Sequence, residues 1–227
     1  MSENTRLSLL SREQAILAFT RRVLAQAQRN DVPLLERLRY ICIVSSNLDE
    51  FFEVRYADVL EASRAGAGDI DRQYIADVVK QSHQLVEDQY QIFNEEVSPA
   101  LRQAGILILN HADRTAEQRE WVAGFFRKQV QPLLVPIGLD PSHPFPQVAN
   151  KTLNFIVRLG GRDAFGRDND IAIVRIPRVL PRVIKLPTHL VESGTQGFVL
   201  LSSVIRAHLD ELFPGREIQS FSQFRLT

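Results

Sequence analysis

Cysteine is nearly absent from this sequence, with Cys42 the only one. A lone thiol cannot close an internal disulfide, so packing has to hold the fold, which fits a reducing, cytosolic compartment. Cys42 lies in the apolar run Tyr40-Ile41-Cys42-Ile43-Val44 and is expected to pack as a small buried hydrophobe. Long apolar runs are missing as well. No stretch approaches the ~20 residues of a membrane-spanning helix, and Met1-Ser2-Glu3-Asn4-Thr5 has none of the apolar core of a secretory signal. Net charge is the third absence: 27 Lys+Arg balance 27 Asp+Glu. A zero balance argues against a general nucleic-acid coat or an acidic tail, and it leaves room for a local basic pocket. Glycine-rich phosphate loops and the Gly-x-Ser-x-Gly nucleophile elbow are not found either. What remains is a soluble, globular composition, 44% hydrophobic and 24% charged. Its 227 residues suffice for one large domain or two small ones.

The first hundred residues read as helix. Ser11-Arg12-Glu13-Gln14 has the form of a capping box, and Ile16, Phe19, Val23 and Ala27 recur behind it at three- and four-residue steps. Asn30-Asp31-Val32-Pro33 breaks the chain, with Asp31 as a candidate N-cap and Pro33 tolerated in a first turn. Leu34, Leu38, Ile41 and Ser45 form the next face. Ser45-Ser46-Asn47 reads as an interruption, after which Asn47-Leu48-Asp49-Glu50 repeats the capping pattern with Asn47 at the N-cap. The following helix turns Leu48, Phe51, Phe52 and Val59 inward and runs to about Ser63, and Ala65-Gly66-Ala67-Gly68 is a turn. From Asp69 a long helix carries Ile75, Val78, Val79, Ser82, Leu85, Val86, Gln89, Ile92, Phe93 and Val97 at period 3.6. Pro99 kinks or restarts its last turn and Gly105 ends it. Such stripes need partner helices, so an antiparallel helical bundle is expected.

After Gly105 the texture changes. Ile106-Leu107-Ile108-Leu109 is a short apolar run, and Thr115 opens a helix with Trp121, Val122, Phe125 and Val130 toward a core. Prolines 132, 136, 141, 144 and 146 exclude regular helix beyond it. Leu153, Phe155, Val157 and Leu159 alternate with Asn154, Ile156 and Arg158, the period of a half-buried strand. Ile171 to Ile176 and Phe198 to Leu201 read as further strands, and Ser202 as the cap of a helix carrying Ile205, Leu209 and Leu212. The final residues from Ser220 look like one more strand. A strand must pair with something, so Thr227 is expected to be a cut inside an incomplete domain. The expected fold class is α+β: a helical domain over residues 1–110, then an incomplete mixed α/β head over 111–227.

Candidate chemistry is sparse. His83, His111, His143, His189 and His208 are each more than five residues apart, and none is near Cys42, so no metal pair stands out. Gly160-Gly161 and Gly166 sit in a turn with no helix behind them. Asp49, Glu50 and Glu53 cluster at an expected helix start, where carboxylates complement the helix dipole. Arg37, Arg39 and Arg55 flank the Ser45-Ser46-Asn47 segment. Arg55 falls near an apolar stripe and needs a partner there: Asp49, Glu36 or a ligand phosphate.

Two blocks, Val32-Pro33-Leu34-Leu35-Glu36-Arg37-Leu38-Arg39-Tyr40 and Ser45-Ser46-Asn47-Leu48-Asp49-Glu50-Phe51-Phe52-Glu53-Val54-Arg55, resemble the family of polyphosphate kinases. Asp140-Pro141-Ser142-His143-Pro144-Phe145-Pro146, Asn150 to Phe155, Ile173-Val174-Arg175-Ile176-Pro177 and Pro181-Arg182 are similar to it too, so the likeness runs in order from about Leu7 to Thr227. Near the start, Leu7-Ser8-Leu9-Leu10-Ser11-Arg12-Glu13 departs from the family's usual Leu-Ser-Trp-Leu-Ser-Phe-Asn. The resemblance implies a helical N-terminal domain and a head domain, followed by two catalytic domains outside this sequence. It implies reversible transfer of the terminal phosphate of ATP to long-chain polyphosphate through a phosphohistidine. That histidine and the Mg2+ site belong to the catalytic domains, so no catalytic residue and no metal ligand is assigned here. One site residue carries over: Asn47 aligns with an asparagine that contacts ATP, and an amide can both donate to and accept from an adenine edge. The resemblance also implies a homo-oligomer, a dimer or higher, in the cytoplasm, with peripheral membrane association left open and no nucleic-acid partner. Alone, the chain is expected to be inactive. The rival readings are a helical dimerisation or interaction module without catalysis, and a standalone ATP sensor.

Overall fold

A computed structural model describes residues 10–65, 72–140, 144–161 and 170–226. It divides into two compact units between Gln103 and Ala104. The division precedes residue 110 because Ile106–Ile108 is a strand hydrogen-bonded to Gln196–Phe198, which ties it to the second unit.

The first unit is an up-down-up helical bundle. Helix α1 (Arg12–Gln26) starts at the expected capping box, Ser11 accepting from the Gln14 N–H and Gln14 accepting from Ser11. Its buried stripe is Leu17, Thr20, Leu24 and Ala27, whereas Phe19 is exposed. The stripe is thus displaced from the expected Ile16–Phe19–Val23 face. Thr20 is tolerated inside because its hydroxyl donates to the Ile16 carbonyl at 2.9 Å. Helix α2 (Leu34–Glu50) begins at Pro33 without a side-chain cap. Asp31 does not cap it, since Arg29 engages both of its carboxylate oxygens, at 3.0 and 2.5 Å.

The interruption expected at Ser45-Ser46-Asn47 does not occur. Helix α2 continues through a π-helical segment (Phe51–Tyr56) into α3 (Ala57–Arg64). Asn47 therefore lies inside a helix and is no N-cap, its carbonyl accepting from the Phe51 N–H. Ser and Asn cost a helix only ~0.7 kcal/mol or less relative to Ala. Burial of Ile41, Val44, Leu48 and Phe51 outweighs that. The buried Gln89 supplies the rest, donating to the Ile41 carbonyl at 2.8 Å and to the Ser45 hydroxyl at 2.7 Å. The register that buries Ile41 and Val44 leaves Cys42 exposed, contrary to expectation.

Helix α4 (Arg72–Ile92) buries Val78, Ser82, Leu85, Gln89 and Ile92 much as its period implies. It runs through a π-helical segment (Phe93–Val97) into α5 (Ser98–Gln103). Pro99 stands at the second position of α5, where a missing N–H is readily accommodated by the widened turn before it. Contacts between Tyr74 and Ser11, Arg21 and Asp88, and Gln28 and Glu96 run α4 parallel to α1. Gln89 on Ser45 and Glu96 on Arg37 run it antiparallel to α2. The alanine–glycine turn after α3 lies mostly outside the described residues.

Among its described residues the second unit has two sheets, two α-helices and short 3-10 turns. Gly105, at φ +77°, turns the chain into β1 (Ile106–Ile108). Thr115 caps α6 (Ala116–Phe125) in a second capping box with Gln118, and the chain continues as a π-helical segment (Phe126–Val130). Short β2 (Pro136–Gly138) precedes β3 (Leu153–Leu159), β4 (Ile171–Arg175), β5 (Val183–Lys185) and β6 (Gln196–Leu200). Helix α7 (Leu201–Arg206) and β7 (Ile218–Arg225) follow. One sheet has the order β1-β6-β5, with β1 parallel to β6; the other is antiparallel, β2-β4-β3-β7. The core joins Val122, Phe126 and Val130 to Phe155, Val157, Ala172, Val174, Val199 and Ile205. Phe126 rather than Phe125 is the buried aromatic. Trp121 and Phe125, one turn apart, stack on each other at 5.6 Å and stay half-buried. Ser202 lies within α7, whose N-cap is Leu200 without a side-chain bond.

Candidate functional site

Residues three and four apart share a helical face. On α1 that places Ile16, Phe19 and Thr20 together, and on the α2 continuation Asn47, Glu50 and Phe51, with Arg55 one turn further. These two ridges enclose a groove of about 220 Å³ in the first unit. Phe19, 53% exposed, is the aromatic that leaves the core to line it. Asn47 and Arg55 are half-buried there. The Asn47 amide makes no side-chain hydrogen bond among the described residues. Arg55 makes no ion pair among them, so neither Asp49 nor Glu36 neutralises it; Glu36 instead pairs with Arg39 at 3.6 Å. The groove thus offers an aromatic face, a free amide and a cation. It is smaller than the ~300–1,000 Å³ of a typical ligand pocket, and by itself covers only part of a nucleotide-sized molecule.

The other sequence candidates behave differently. Asp49, Glu50 and Glu53 lie inside a continuous helix, so complementing a helix start does not explain them; Asp49 and Glu53 are engaged elsewhere. Arg37 is buried and bonded within the bundle, its Nε donating to the Ala27 carbonyl at 2.5 Å and its Nη2 to Glu96 at 2.9 Å. Gly160 and Gly161 turn their carbonyls to Arg216, which suits a structural turn; Gly166 lies outside the described residues. His83 and His189 are exposed and His143 is outside the described residues. His208 stacks on Phe126 at 4.8 Å and bonds Glu211 at 2.9 Å. Among the described residues no three His, Cys, Asp or Glu side chains converge on a metal position, and no helix is long and apolar enough to cross a membrane.

A family model described as the polyphosphate kinase N-terminal domain matches residues 9–109, and one described as the polyphosphate kinase middle domain matches 117–227. The chain belongs to the polyphosphate kinase family. It is 49% identical to a polyphosphate kinase of Neisseria meningitidis serogroup B over 233 aligned residues, covering 100% of this chain and 34% of that protein. It is 50% identical to one of Burkholderia cenocepacia, covering 99% of this chain and 33% of the relative. The crystal structure of polyphosphate kinase from Porphyromonas gingivalis superposes with a TM-score of 0.78 at 27% identity, covering 95% of this chain and 33% of that one. The chain therefore spans about a third of the length of the curated relatives it matches. Its two units correspond to the helical N-terminal domain and to part of the mixed head that the resemblance implied. Among the described residues no donor cluster fits the magnesium that the resemblance implied.

Proposed function

We propose that this chain is the N-terminal portion of an enzyme that transfers the terminal phosphate of ATP reversibly to polyphosphate, and that the groove between α1 and α2 forms one wall of its nucleotide site. The observation that carries the site is Asn47 itself. It stands mid-helix, where capping no longer accounts for it, and beside Phe19 and Arg55 its amide has no hydrogen-bond partner among the described residues. Phe19 offers a π surface to a base, Asn47 a donor and acceptor for a base edge, and Arg55 a counter-charge for phosphate. The small volume agrees with a site completed by residues outside this chain. The phosphohistidine, the magnesium site, subunit contacts and a cytoplasmic location belong to the same reading.

Replacing Asn47 by alanine in the longer enzyme is expected to weaken ATP binding about tenfold, the loss of one well-made hydrogen bond. Thermal stability should hold or rise, because alanine is the better helix former. Calorimetric ATP titration together with a melting curve checks both, and unchanged ATP affinity would remove Asn47 from the site. The 227-residue chain alone, incubated with ATP and Mg2+, is expected to form no polyphosphate. Detecting polyphosphate by gel or dye would overturn the assignment of the transfer chemistry to other domains.

A further inference from the structure

The second unit contains a separate cleft of about 490 Å³ that the nucleotide reading does not use. Asn110, His111, Ser202, Ser203, Arg206 and Gln223 line it, with Phe221 as an apolar wall, and no carboxylate is among its described lining residues. Arg206 lies over the Phe221 ring at 5.3 Å and has no carboxylate partner among the described residues. Against the cleft stands Arg114, only 3% exposed. Its Nη2 donates to the hydroxyl of Ser203 at 2.6 Å and to the Leu109 carbonyl at 3.4 Å, while its Nε and Nη1 are buried without a partner among the described residues.

The nearby acids do not cancel this charge at the cleft. Desolvation and the charge of Arg119 act on Arg114 more strongly than Asp113 does, and the Asp113 carboxylate accepts the Asn110 N–H at 3.2 Å. Glu211 is held by Arg127 at 2.9 and 3.1 Å and by His208 at 2.9 Å. Desolvation, followed by the positive charges of Arg114, Arg119, His208 and Arg206, holds the His111 imidazole below its ordinary pKa. Two buried guanidinium nitrogens carrying three N–H bonds without a partner among the described residues are costly in a fold that gains nothing from them. Hydroxyls, two amides, an imidazole and a guanidinium converging on one cavity under a positive field suit a tetrahedral anion.

We propose that this cleft binds a phosphoryl anion, with Arg206 and His111 donating to its oxygens and Arg114 fixing the Ser203 hydroxyl beside them. The site lies within the second unit and stands whether or not Asn47 touches ATP. The test is titration calorimetry of the 227-residue protein with orthophosphate and, separately, with inorganic polyphosphate. Both side chains to be changed are exposed, so Arg206→Gln with His111→Gln should leave the melting curve as it is. The pair is expected to weaken binding about ten- to a hundredfold, the loss of charge-assisted contacts. Much tighter binding of polyphosphate than of orthophosphate identifies a chain segment as occupant; comparable binding identifies free phosphate. No binding of either anion at millimolar concentration, or wild-type affinity in the double variant, overturns the proposal.

Discussion

Phe126→Ala is expected to destabilise the second unit by about 3–5 kcal/mol, the cost of emptying a buried aromatic site. Phe126 is 0% exposed and starts the π-helical segment that follows α6. Its ring stacks on His208 at 4.8 Å with an interplanar angle of 19°, so the change also removes the support of the His208–Glu211 pair. A domain holds ~5–15 kcal/mol in total, and such a loss would take a large share of it. Phe125→Ala is the internal control. That ring is half-buried against Trp121 and should cost clearly less. Denaturant unfolding followed by the tryptophan signal reads both variants. Equal losses, or a larger loss at Phe125, would contradict the assignment of Phe126 as the core residue of this helix.

Arg37→Ala is expected to cost the first unit about 2–3 kcal/mol, which is more than a surface charge deserves. A hydrogen bond involving a charged group contributes ~1.5–3 kcal/mol, and a buried acceptor left unmade costs ~1–3 kcal/mol. Arg37 does two jobs: it satisfies the Ala27 carbonyl at the end of α1 and pairs with Glu96 in the π-helical segment that follows α4. The Glu96 side chain is 39% exposed, so screening reduces that half of the loss. The carbonyl half remains, because water cannot readily replace a side chain that is only 11% exposed. Arg39→Ala, two residues on and 70% exposed, should change stability by less than ~0.5 kcal/mol. Chemical denaturation of the two variants side by side decides the point, and equal midpoints would mean that Arg37 contributes as a surface charge does.

The groove around Asn47 was only partly legible in the sequence. Asn47 was marked by resemblance, and Arg55 by a cation near an apolar stripe. Phe19 was hidden because a three- and four-residue recurrence fits two neighbouring stripes on α1 almost equally well. Ile16–Phe19–Val23 and Leu17–Thr20–Leu24 differ by one residue, about 100° of rotation. The anion cleft was less legible still. Asn110 and His111 precede α6, Ser202 and Arg206 lie on α7, and Phe221 on β7, so no local motif joins them.

By itself, the sequence determined what short-range chemistry controls. The capping box at Ser11 and the helix opening at Thr115, which the structure shows to be a second box, set two helix starts, because a hydroxyl and an amide three residues apart satisfy backbone donors without outside help. The alternation from Leu153 to Leu159 set a strand, and the period of Val78, Ser82, Leu85, Gln89 and Ile92 set a core face. Ordered motif blocks indicated the family. Only the tertiary structure decided which α1 face is buried, that α2 runs unbroken through Asn47, that Arg37 lies inside and that Phe126 rather than Phe125 fills the core. It alone decided the three-residue strands β1, β2 and β5, which are too short to show a period. Each of these depends on a partner far away in the chain, such as Gln89 for Ser45, Glu96 for Arg37 or Gln196 for Ile106. Local propensities differ by tenths of a kcal/mol, whereas burial and a satisfied polar group are worth one to several, ~1–3 kcal/mol each. Where the two conflict, the distant partner prevails.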